Sequence, residues 1–234
     1  DDESGKIIER LLQEQGVKSY LQRDPNLKTT VKLRVVARQQ QLIRLDFEKA
    51  PTHEALLNKL EQFQSLLNDV DAVVFSDYGK GGLTHVTQMI AAAKAAGKYV
   101  LVDPKGDDYS KYQSASMITP NRAELREVVG RWKDEADLTK KAQALRETLK
   151  LDALLLTRSE EGMSLFTAKG VEHVKAQARE VFDVSGAGDT VIAAMAVALA
   201  AGWAPGKAMN LANKAGGIVV GKLGTATVSL EELQ

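Results

Sequence analysis

The sequence predicts an α/β protein in which helices cover both faces of a mostly parallel sheet. Strand-like and helix-like segments alternate along most of the 234 residues, a pattern typical of parallel strands joined by crossover helices. Polar turns that contain glycine follow several of the strands, as at residues 76–82. No low-complexity linker interrupts the alternation, so residues 1–234 are expected to form one domain.

Composition argues against several classes of protein. The chain has 31 Lys and Arg residues against 31 Asp and Glu residues, and this zero net charge argues against a nucleic-acid partner. The absence of cysteine excludes disulfides and thiolate metal sites. No apolar run is long enough for a membrane span, and the opening Asp1-Asp2-Glu3 is unlike a signal peptide. We therefore expect a cytoplasmic protein without a membrane partner.

The individual elements follow from the spacing of apolar residues. Helical spacing predicts helices at residues 7–16, 52–67, 83–96, 135–149 and 191–201, with two more around Glu124 and before Lys222. Short apolar runs predict strands at residues 72–75, 99–102, 116–118, 153–156, 163–166 and 171–174. The last two strands flank a glycine turn and are expected to form a hairpin.

An additional pair of strands is predicted near the N-terminus. Residues 31–37 and 41–47 each alternate apolar and polar side chains, and residues 38–40 form a polar break between them. Two such runs indicate an antiparallel pair. One face of the pair carries Lys32, Arg34 and Arg44, which form either a solvated face or the cationic side of a lid over a phosphorylated substrate.

Polar side chains follow four of the predicted parallel strands. They are Asp77 with Lys80, Asp103 with Lys105, Asn121 with Glu124, and Thr157 with Arg158. The carboxyl ends of parallel strands meet at one edge of the sheet, where α/β proteins bind ligands. A turn-forming role is the alternative for Asp77 and Lys80.

Asn121 and Glu124 stand three residues apart at the start of a helix, so both can face one pocket. An amide and a carboxylate there suit a hydrated Mg²⁺ ion, which keeps its waters and takes few protein ligands. The alternative is an ordinary helix cap in which Glu124 is the capping-box partner.

The most informative string is Asp183-Val184-Ser185-Gly186-Ala187-Gly188-Asp189-Thr190, which precedes an alanine-rich helix. Small residues at a helix start leave backbone N–H groups accessible, and the helix dipole adds to the attraction for an anion. A carboxylate beside an anion site can act as a general base, which favours phosphoryl transfer to an alcohol. The alternative is close packing, with Asp189 as an ordinary residue of the first turn.

This string resembles the C-terminal signature of the ribokinase-like (PfkB) family of sugar kinases. It is not a dinucleotide fingerprint, because Val191 stands where the third glycine would be. It does not match a Walker A loop either. Residues 121–124 resemble the family's Asn-x-x-Glu motif. Residues 76–81, 103–106 and 156–165 resemble, in particular, the branch of bacterial heptose-7-phosphate kinases.

The resemblance implies a ribokinase-like α/β/α sandwich of three layers, with a small β lid at residues 30–47. It implies transfer of the γ-phosphoryl group of ATP to the anomeric hydroxyl of D-glycero-β-D-manno-heptose 7-phosphate, a step of ADP-heptose and lipopolysaccharide core synthesis. Asp189 would be the base, and the N–H groups of Gly186, Ala187 and Gly188 would stabilise the transferring group. Another sugar kinase of the family, or a non-catalytic nucleotide-binding module, is the alternative.

Further contacts are implied by the same resemblance. Those with ATP are Asn121, Glu124, Thr157, Arg158, Asn213, Gly224 and Thr225, and those with the sugar phosphate are Asp77, Lys80, Arg34 and Arg44. Mg²⁺ would be held through water near Asn121 and Glu124, and a monovalent cation such as K⁺ near Asp183.

The resemblance also has implications for the partners of the chain and for its length. The resemblance implies a homodimer formed through the lid, and fusion to or cooperation with an adenylyltransferase. The family's N-terminal strands and Gly-Gly-x-x-x-Asn sugar motif have no counterpart in the sequence, which is therefore expected to be truncated at its N-terminus.

Overall fold

The computed structural model describes residues 1–37, 40–51, 53–177 and 180–234. The chain divides into two compact units, one of Asp1–Phe63 with Lys80–His85 and one of Gln64–Gly79 with Val86–Gln234. The predicted polar break at Arg38 and Gln39 and the predicted helix start at Thr52 lie outside the described residues.

The first unit contains helix α1, Glu3–Glu14, strands β1, Val31–Ala37, and β2, Gln40–Phe47, and the start of helix α2, His53–Leu66. Helix α1 begins four residues before the predicted helical periodicity, because the Asp2 carboxylate accepts the Gly5 N–H at 2.8 Å and satisfies one unpaired donor of the first turn.

The β1–β2 pair is antiparallel, as predicted, and its two faces differ in chemistry. On one face Arg34 lies directly opposite Arg44, and Lys32 lies opposite Asp46. The other face is apolar and carries Val31, Leu33, Val35, Ile43, Leu45 and Phe47, each at least 39% exposed. The pair therefore has one charged face and one apolar face within its own unit.

The second unit is built on a six-stranded sheet. Its strands in spatial order are β3, Ala72–Ser76; β4, Tyr99–Asp103; β5, Met117–Ile118; β6, Ala153–Thr157; β7, Met163–Thr167; and β8, Gly170–Val174. The first four strands are parallel, and β7 and β8 are antiparallel additions at the end. This order confirms the prediction of a mostly parallel sheet that ends in a hairpin.

Helices cover both faces of this sheet. They are α3, Val86–Ala95; α4, Arg122–Val129; α5, Glu135–Thr148; α6, Ala187–Ala200; α7, Pro205–Val220; and the short α8, Leu230–Leu233. Leu101 and Leu155 pack with α6 and α7 in one buried cluster. Because side chains alternate between faces, Val100 and Leu154 are buried on the other face, where α3 and α5 pack. Each fully buried leucine contributes about 1.5–3 kcal/mol.

The two edge strands of the sheet differ in charge. Within the described residues, β3 pairs only with β4, and β8 pairs only with β7. Strand β3 has no charged residue and leaves Val74 41% exposed. Strand β8 carries Glu172 and His173.

The structure corrects the predicted start of helix α6, which begins at Ala187 rather than at residue 191. Gly186 adopts a left-handed conformation with φ of 79° and turns the chain into the helix. The Thr190 hydroxyl donates to the Gly186 carbonyl at 2.9 Å. Apolar periodicity begins only at Val191, so the pattern missed the first turn, which is made of small and polar residues. Asp189 therefore lies inside the helix.

Candidate functional site

The turn that opens α6 is the candidate anion site predicted from the sequence. The Ser185 N–H donates to the Asp183 carboxylate at 2.8 Å, which shapes the approach to the helix. The Ala187 N–H donates to the Val184 carbonyl at 3.2 Å, so it is not a free donor, contrary to the sequence prediction. The first-turn N–H groups of Gly188 and Asp189 have no acceptor within the helix. The side chain of Asp189 is exposed.

The predicted contact region at residues 224–225 lies against this turn. A Cβ atom placed on Gly186 would lie 3.1 Å from the Thr225 methyl group. Gly224 has φ of 73°, a conformation that favours glycine and that turns the chain after α7. The structure thus brings Gly186 of the signature turn close to Thr225, for which the resemblance implies an ATP contact.

Carboxylates from different elements influence one another at the sheet edge. Burial is the main cause that raises the pKa of Asp103 to about 6, and the negative charges of Glu124 and Asp189 add to the increase. Asp103 ends β4, Glu124 lies in α4 and Asp189 in α6. Asp103, one of the polar residues predicted at the strand ends, therefore lies within electrostatic range of Glu124 and Asp189.

The start of α4 is fixed by a complete capping box. The Asn121 side chain accepts the Ala123 and Glu124 N–H groups at 2.9 and 3.0 Å. Glu124 Oε2 accepts the Asn121 N–H at 3.0 Å, and Glu124 Oε1 accepts Lys105 Nζ at 3.1 Å. A β-bridge joins Asn121 to Thr157. The cap alternative is confirmed, and lone pairs remain on both Glu124 oxygens for a water ligand.

These residues fit a hydrated cation better than a directly bound one. Within residues 1–37, 40–51, 53–177 and 180–234, no group of three His, Cys, Asp or Glu side chains is placed to hold a metal. Glu124 and Asp189 nevertheless lie close enough for their negative charges to act on Asp103. Mg²⁺ commonly keeps several waters and takes few carboxylates, so this donor set suits it.

Asp77 has a different role from the predicted substrate contact. It is 8% exposed, and its Oδ1 accepts the Gly79 N–H at 2.7 Å. Its Oδ2 accepts the Tyr112 hydroxyl at 2.7 Å and Lys111 Nζ at 2.9 Å. Burial alone would raise the pKa of Asp77, but these hydrogen bonds hold it below its usual value. Asp77 thus links the loops at this edge of the sheet.

The Arg158 guanidinium is engaged by other side chains rather than free for the ATP contact that the resemblance implies. All five N–H donors of the guanidinium are engaged with Glu135, Glu161 and Ser164. The hydrogen bonds with Glu135 hold the pKa of that carboxyl below its usual value. A fully engaged guanidinium has no donor left for a phosphate, so Arg158 stabilises the packing of α5 against the turn after β6.

We expect Arg158→Lys to lower stability without changing ATP affinity. Lysine keeps the charge but cannot reproduce the five donors, and the exposed partners limit the loss to about 2 kcal/mol. Thermal unfolding and ATP titration measure the two quantities. Arg122→Lys, which alters a more exposed contact with Glu161, is the control and should change stability less. Weaker ATP binding at an unchanged melting temperature would restore the phosphate-contact interpretation.

Asn213 is buried in the protein rather than exposed on the wall of an open pocket. It is 4% exposed, and its Nδ2 donates to the Lys175 carbonyl at 2.7 Å. Beside α7 lies an open cavity of about 570 Å³, lined by Lys214, Gly217 and Gly221 together with the exposed Phe182. The small residues of α7 thus permit both tight packing and an adjoining cavity.

Three of the predicted substrate-contact residues have cationic side chains and lie in the first unit. Each lies beside charged residues of that unit. The Arg44 guanidinium donates twice to Asp46, at 2.8 and 2.7 Å, and Lys80 Nζ lies 2.5 Å from Glu48 Oε1. Arg34 lies directly opposite Arg44. Like charges directly opposite one another destabilise a strand pair, so an anion at this face would relieve the repulsion.

The raised pKa of Asp103 predicts a specific pH dependence. Because its folded pKa of about 6 lies above the ordinary 3.8, folding takes up a proton. The resulting stability is present below about pH 4 and is lost as the pH rises through about 6. Asp103→Asn should therefore raise the melting temperature, relative to the unchanged protein, more at pH 7.5 than at pH 4. Exposed Asp107→Asn is the control, and equal shifts at both pH values would contradict this assignment.

Two residues that sequence reasoning left without a role are Lys105 and Tyr112, which connect the loops at the sheet edge. The string Asp103-Pro104-Lys105-Gly106 at a strand end was a usable signal for Lys105. Tyr112 follows no strand and carried no comparable signal.

Among the described residues, no helix has the length and apolarity that a membrane crossing requires.

Comparison with curated proteins gives close relatives. A D-beta-D-heptose 7-phosphate kinase of Bordetella bronchiseptica is 54% identical over 232 residues, which are 99% of this chain and 74% of that protein. The bifunctional protein HldE of Methylococcus capsulatus is 51% identical over 234 residues. The chain spans 50% of the length of the HldE protein.

Solved structures share the fold at low sequence identity. Phosphofructokinase-2 from Escherichia coli in complex with potassium superposes with a TM-score of 0.84 at 21% identity, over 99% of this chain and 77% of that one. Ribokinase from Thermotoga maritima gives 0.81 at 21% identity, over 100% and 77%. The ribokinase-like fold implied by the sequence is thereby confirmed. The model of the pfkB family of carbohydrate kinases matches residues 1–233, and the chain therefore belongs to that family.

Proposed function

We propose that this chain is the kinase part of an enzyme that transfers the γ-phosphoryl group of ATP to the anomeric hydroxyl of D-glycero-β-D-manno-heptose 7-phosphate. The product is the 1,7-bisphosphate, an intermediate of ADP-heptose and lipopolysaccharide core synthesis. The observation that carries the reaction type is the exposed Asp189 carboxylate in the first turn of α6, electrostatically coupled to Asp103. Identity of 54% to a heptose 7-phosphate kinase supports the substrate. Use of ATP favours the cytoplasm.

Each residue of the site then has a defined task. Asp189 accepts the proton of the sugar hydroxyl as the hydroxyl oxygen bonds to the γ-phosphorus of ATP. The bond from that phosphorus to the β,γ-bridging oxygen breaks, and ADP leaves. The N–H groups of Gly188 and Asp189 stabilise charge on the transferring group, and the α6 dipole adds to their effect. Glu124 and Asp103 orient the waters of a Mg²⁺ ion, which supplies charge neutralisation to the phosphates when bound.

The nucleotide and the sugar phosphate are proposed to contact separate groups of residues. Thr157, Gly224 and Thr225 contribute to the nucleotide side. The cavity beside α7, lined in part by Gly217 and Gly221, is proposed to take the flat base. Arg34, Arg44 and Lys80 contribute to the sugar-phosphate side, with residues 30–47 acting as a lid. The like-charge pair Arg34–Arg44 supports this assignment, because an anion offsets its repulsion.

Turnover of ATP on a panel of acceptors tests the proposed function. The panel is heptose 7-phosphate, free heptose, ribose and fructose 6-phosphate, with Mg²⁺ present. The proposal expects the highest kcat/KM on heptose 7-phosphate. A preference for ribose or fructose 6-phosphate would assign another sugar kinase of the family. ATP binding without turnover on any acceptor would assign a non-catalytic nucleotide-binding module.

We expect Glu124→Gln to raise the Mg²⁺ concentration that gives the half-maximal rate. Glutamine still accepts the Asn121 N–H and preserves the cap, but it loses the charge that holds the hydrated ion. Loss of an outer-shell ligand partner typically weakens metal binding about 10- to 100-fold. A Mg²⁺ titration of the initial rate gives the midpoint.

The chain offers a matched control for this variant. Glu232 forms a second capping box, in which it accepts the Ser229 N–H at 2.8 Å and pairs with Lys222 at 2.6 Å. Glu232→Gln should leave the Mg²⁺ midpoint unchanged. If Glu124→Gln lowers only the melting temperature, its role is confined to the cap.

The apolar face of the β1–β2 pair is proposed to bind the same face of a second copy. Its exposed side chains include Leu45, at 40%, and Phe47, at 60%. Leu45→Glu should then halve the mass measured by light scattering, and a monomer before substitution would refute the interface.

Fusion to or cooperation with an adenylyltransferase and a K⁺ ion near Asp183 are proposed as well. The relatives named bifunctional and the potassium-bound phosphofructokinase-2 support these two points.

A further inference from the structure

The hydroxyl group of Tyr112 joins two loops at the carboxyl edge of the sheet. It donates to Asp77 Oδ2 at 2.7 Å, in the loop after β3. It also accepts the Lys105 N–H at 3.0 Å and lies 3.2 Å from the Lys105 carbonyl oxygen, in the loop after β4. Tyr112 is fully buried. Among the described residues, its hydroxyl forms hydrogen bonds with these two loops.

The contacts continue from these loops to the proposed catalytic edge. The backbone of Lys105 is held by Tyr112, and the side chain of Lys105 reaches Glu124 Oε1 at 3.1 Å. Glu124 in turn closes the cap of α4 on Asn121. A displacement of the Lys105 backbone therefore moves the cation that fixes one oxygen of Glu124.

The loop after β3 is held through both carboxylate oxygens of Asp77, the residue that accepts the Tyr112 hydroxyl. Asp77 Oδ1 accepts the Gly79 N–H at 2.7 Å, and Lys111 Nζ donates to Oδ2 while lying 4.9 Å from the centre of the Tyr112 ring. Asp77 thus joins its own loop, through Gly79, to Lys111 and Tyr112.

A neighbouring tyrosine provides an internal contrast. Tyr109 packs edge-to-face on Tyr112, with ring centroids 5.5 Å apart, and it is similarly buried at 2% exposure. Among the described residues, the Tyr109 hydroxyl has no hydrogen-bond partner. The two side chains therefore share ring packing and differ in the bonding of the hydroxyl.

We propose that Tyr112 is a positioning residue for phosphoryl transfer, because its hydroxyl holds the loops after β3 and β4 together and, through Lys105, orients Glu124 toward the hydrated Mg²⁺ of the nucleotide. This role rests on the proposed function. Tyr112 itself does not touch the reacting groups. Its effect is expected in the Mg²⁺ dependence of nucleotide binding and turnover.

The test compares Tyr112→Phe with Tyr109→Phe. Each variant removes one buried hydroxyl and keeps the ring, so effects of ring packing cancel. Calorimetric titration of ADP at a series of Mg²⁺ concentrations gives the Mg²⁺ midpoint of binding without any need for turnover. Tyr112→Phe should raise this midpoint about tenfold, the lower end of the effect of an outer-shell partner, and Tyr109→Phe should leave it unchanged.

A double-mutant cycle tests the proposed route through Lys105. In a Lys105→Met background, Tyr112→Phe should add little further increase, because the contact through which it acts is already lost. Fully additive effects would overturn the route. An unchanged midpoint in Tyr112→Phe, with only a lower melting temperature, would reduce Tyr112 to a structural residue.

Two measurements keep the inference separate from the proposed function. If the protein turns over none of the sugars but Tyr112→Phe still shifts the ADP midpoint, the function fails and the positioning role stands. Amide hydrogen exchange of the unaltered protein is independent of every variant. It should show protection of the Lys105 N–H, and exchange at the rate of an open amide would overturn the inference even if Tyr112→Phe failed to fold.

Discussion

Asp189→Asn is expected to lower kcat by about a hundred- to ten-thousand-fold, the range for loss of a general base. Asparagine has nearly the same shape as aspartate and can occupy the same position in the first turn of α6. It cannot accept the proton of the sugar hydroxyl. ATP binding should survive, because the backbone donors of the turn are unaffected. Initial rates and ATP titration of the same preparation separate the two effects.

A second first-turn carboxylate serves as the control for loss of charge. Asp137 lies in the first turn of α5, where it accepts the Lys133 N–H at 3.0 Å. Asp137→Asn removes one negative charge near a helix N-terminus, as Asp189→Asn does, but at a site without proposed chemistry. Near-normal turnover of Asp189→Asn would remove Asp189 from the role of base.

The phosphate at position 7 of the sugar should raise kcat/KM by about two to four orders of magnitude relative to free heptose. A charge-assisted hydrogen bond contributes about 1.5–3 kcal/mol where water is partly excluded. Two such bonds therefore give about 3–6 kcal/mol, and a factor of ten corresponds to about 1.4 kcal/mol. Steady-state kinetics on the two acceptors measures the ratio directly.

Arg34→Gln should reduce this ratio, because it removes one member of the opposed arginine pair. Arg10→Gln on α1 is the matched control, since Arg10 is 66% exposed and pairs only loosely, at 3.8 Å, with Glu14. A ratio that stays constant in Arg34→Gln would move the phosphate contact to Arg44 or Lys80. Equal kcat/KM for the two sugars in the unaltered protein would contradict a phosphate site altogether.

Local sequence pattern was sufficient for most of the fold. The apolar runs that predicted strands β3 to β7 are also the buried centre of the sheet, because the same side chains that favour a strand are those that the helices cover. The start of α6 was missed since its first turn depends on Gly186 and on a hydroxyl bond from Thr190, neither of which changes apolar periodicity.

The positions of the strand-end residues could be predicted from the sequence, but the directions of their side chains were harder to predict. That polar residues at four strand ends would meet follows from parallel pairing alone. Whether a given side chain faces a ligand or the interior depends on partners far along the chain. Arg158 turns to Glu135, 23 residues away, and Asp77 turns to Tyr112, 35 residues away. Neither partner carried a signal in the sequence.

The unlike edges of the six-stranded sheet affect how the protein behaves at high concentration. Strand β8 carries Glu172 and His173, and charged side chains on an edge discourage pairing with another chain. Strand β3 presents the uncharged run Ala72-Val73-Val74-Phe75 with one row of backbone groups unpaired among the described residues. An uncharged edge of this kind is a template for intermolecular strand addition. Of the two edges, β3 is therefore the one more open to addition of a strand, whether from the same chain or from another.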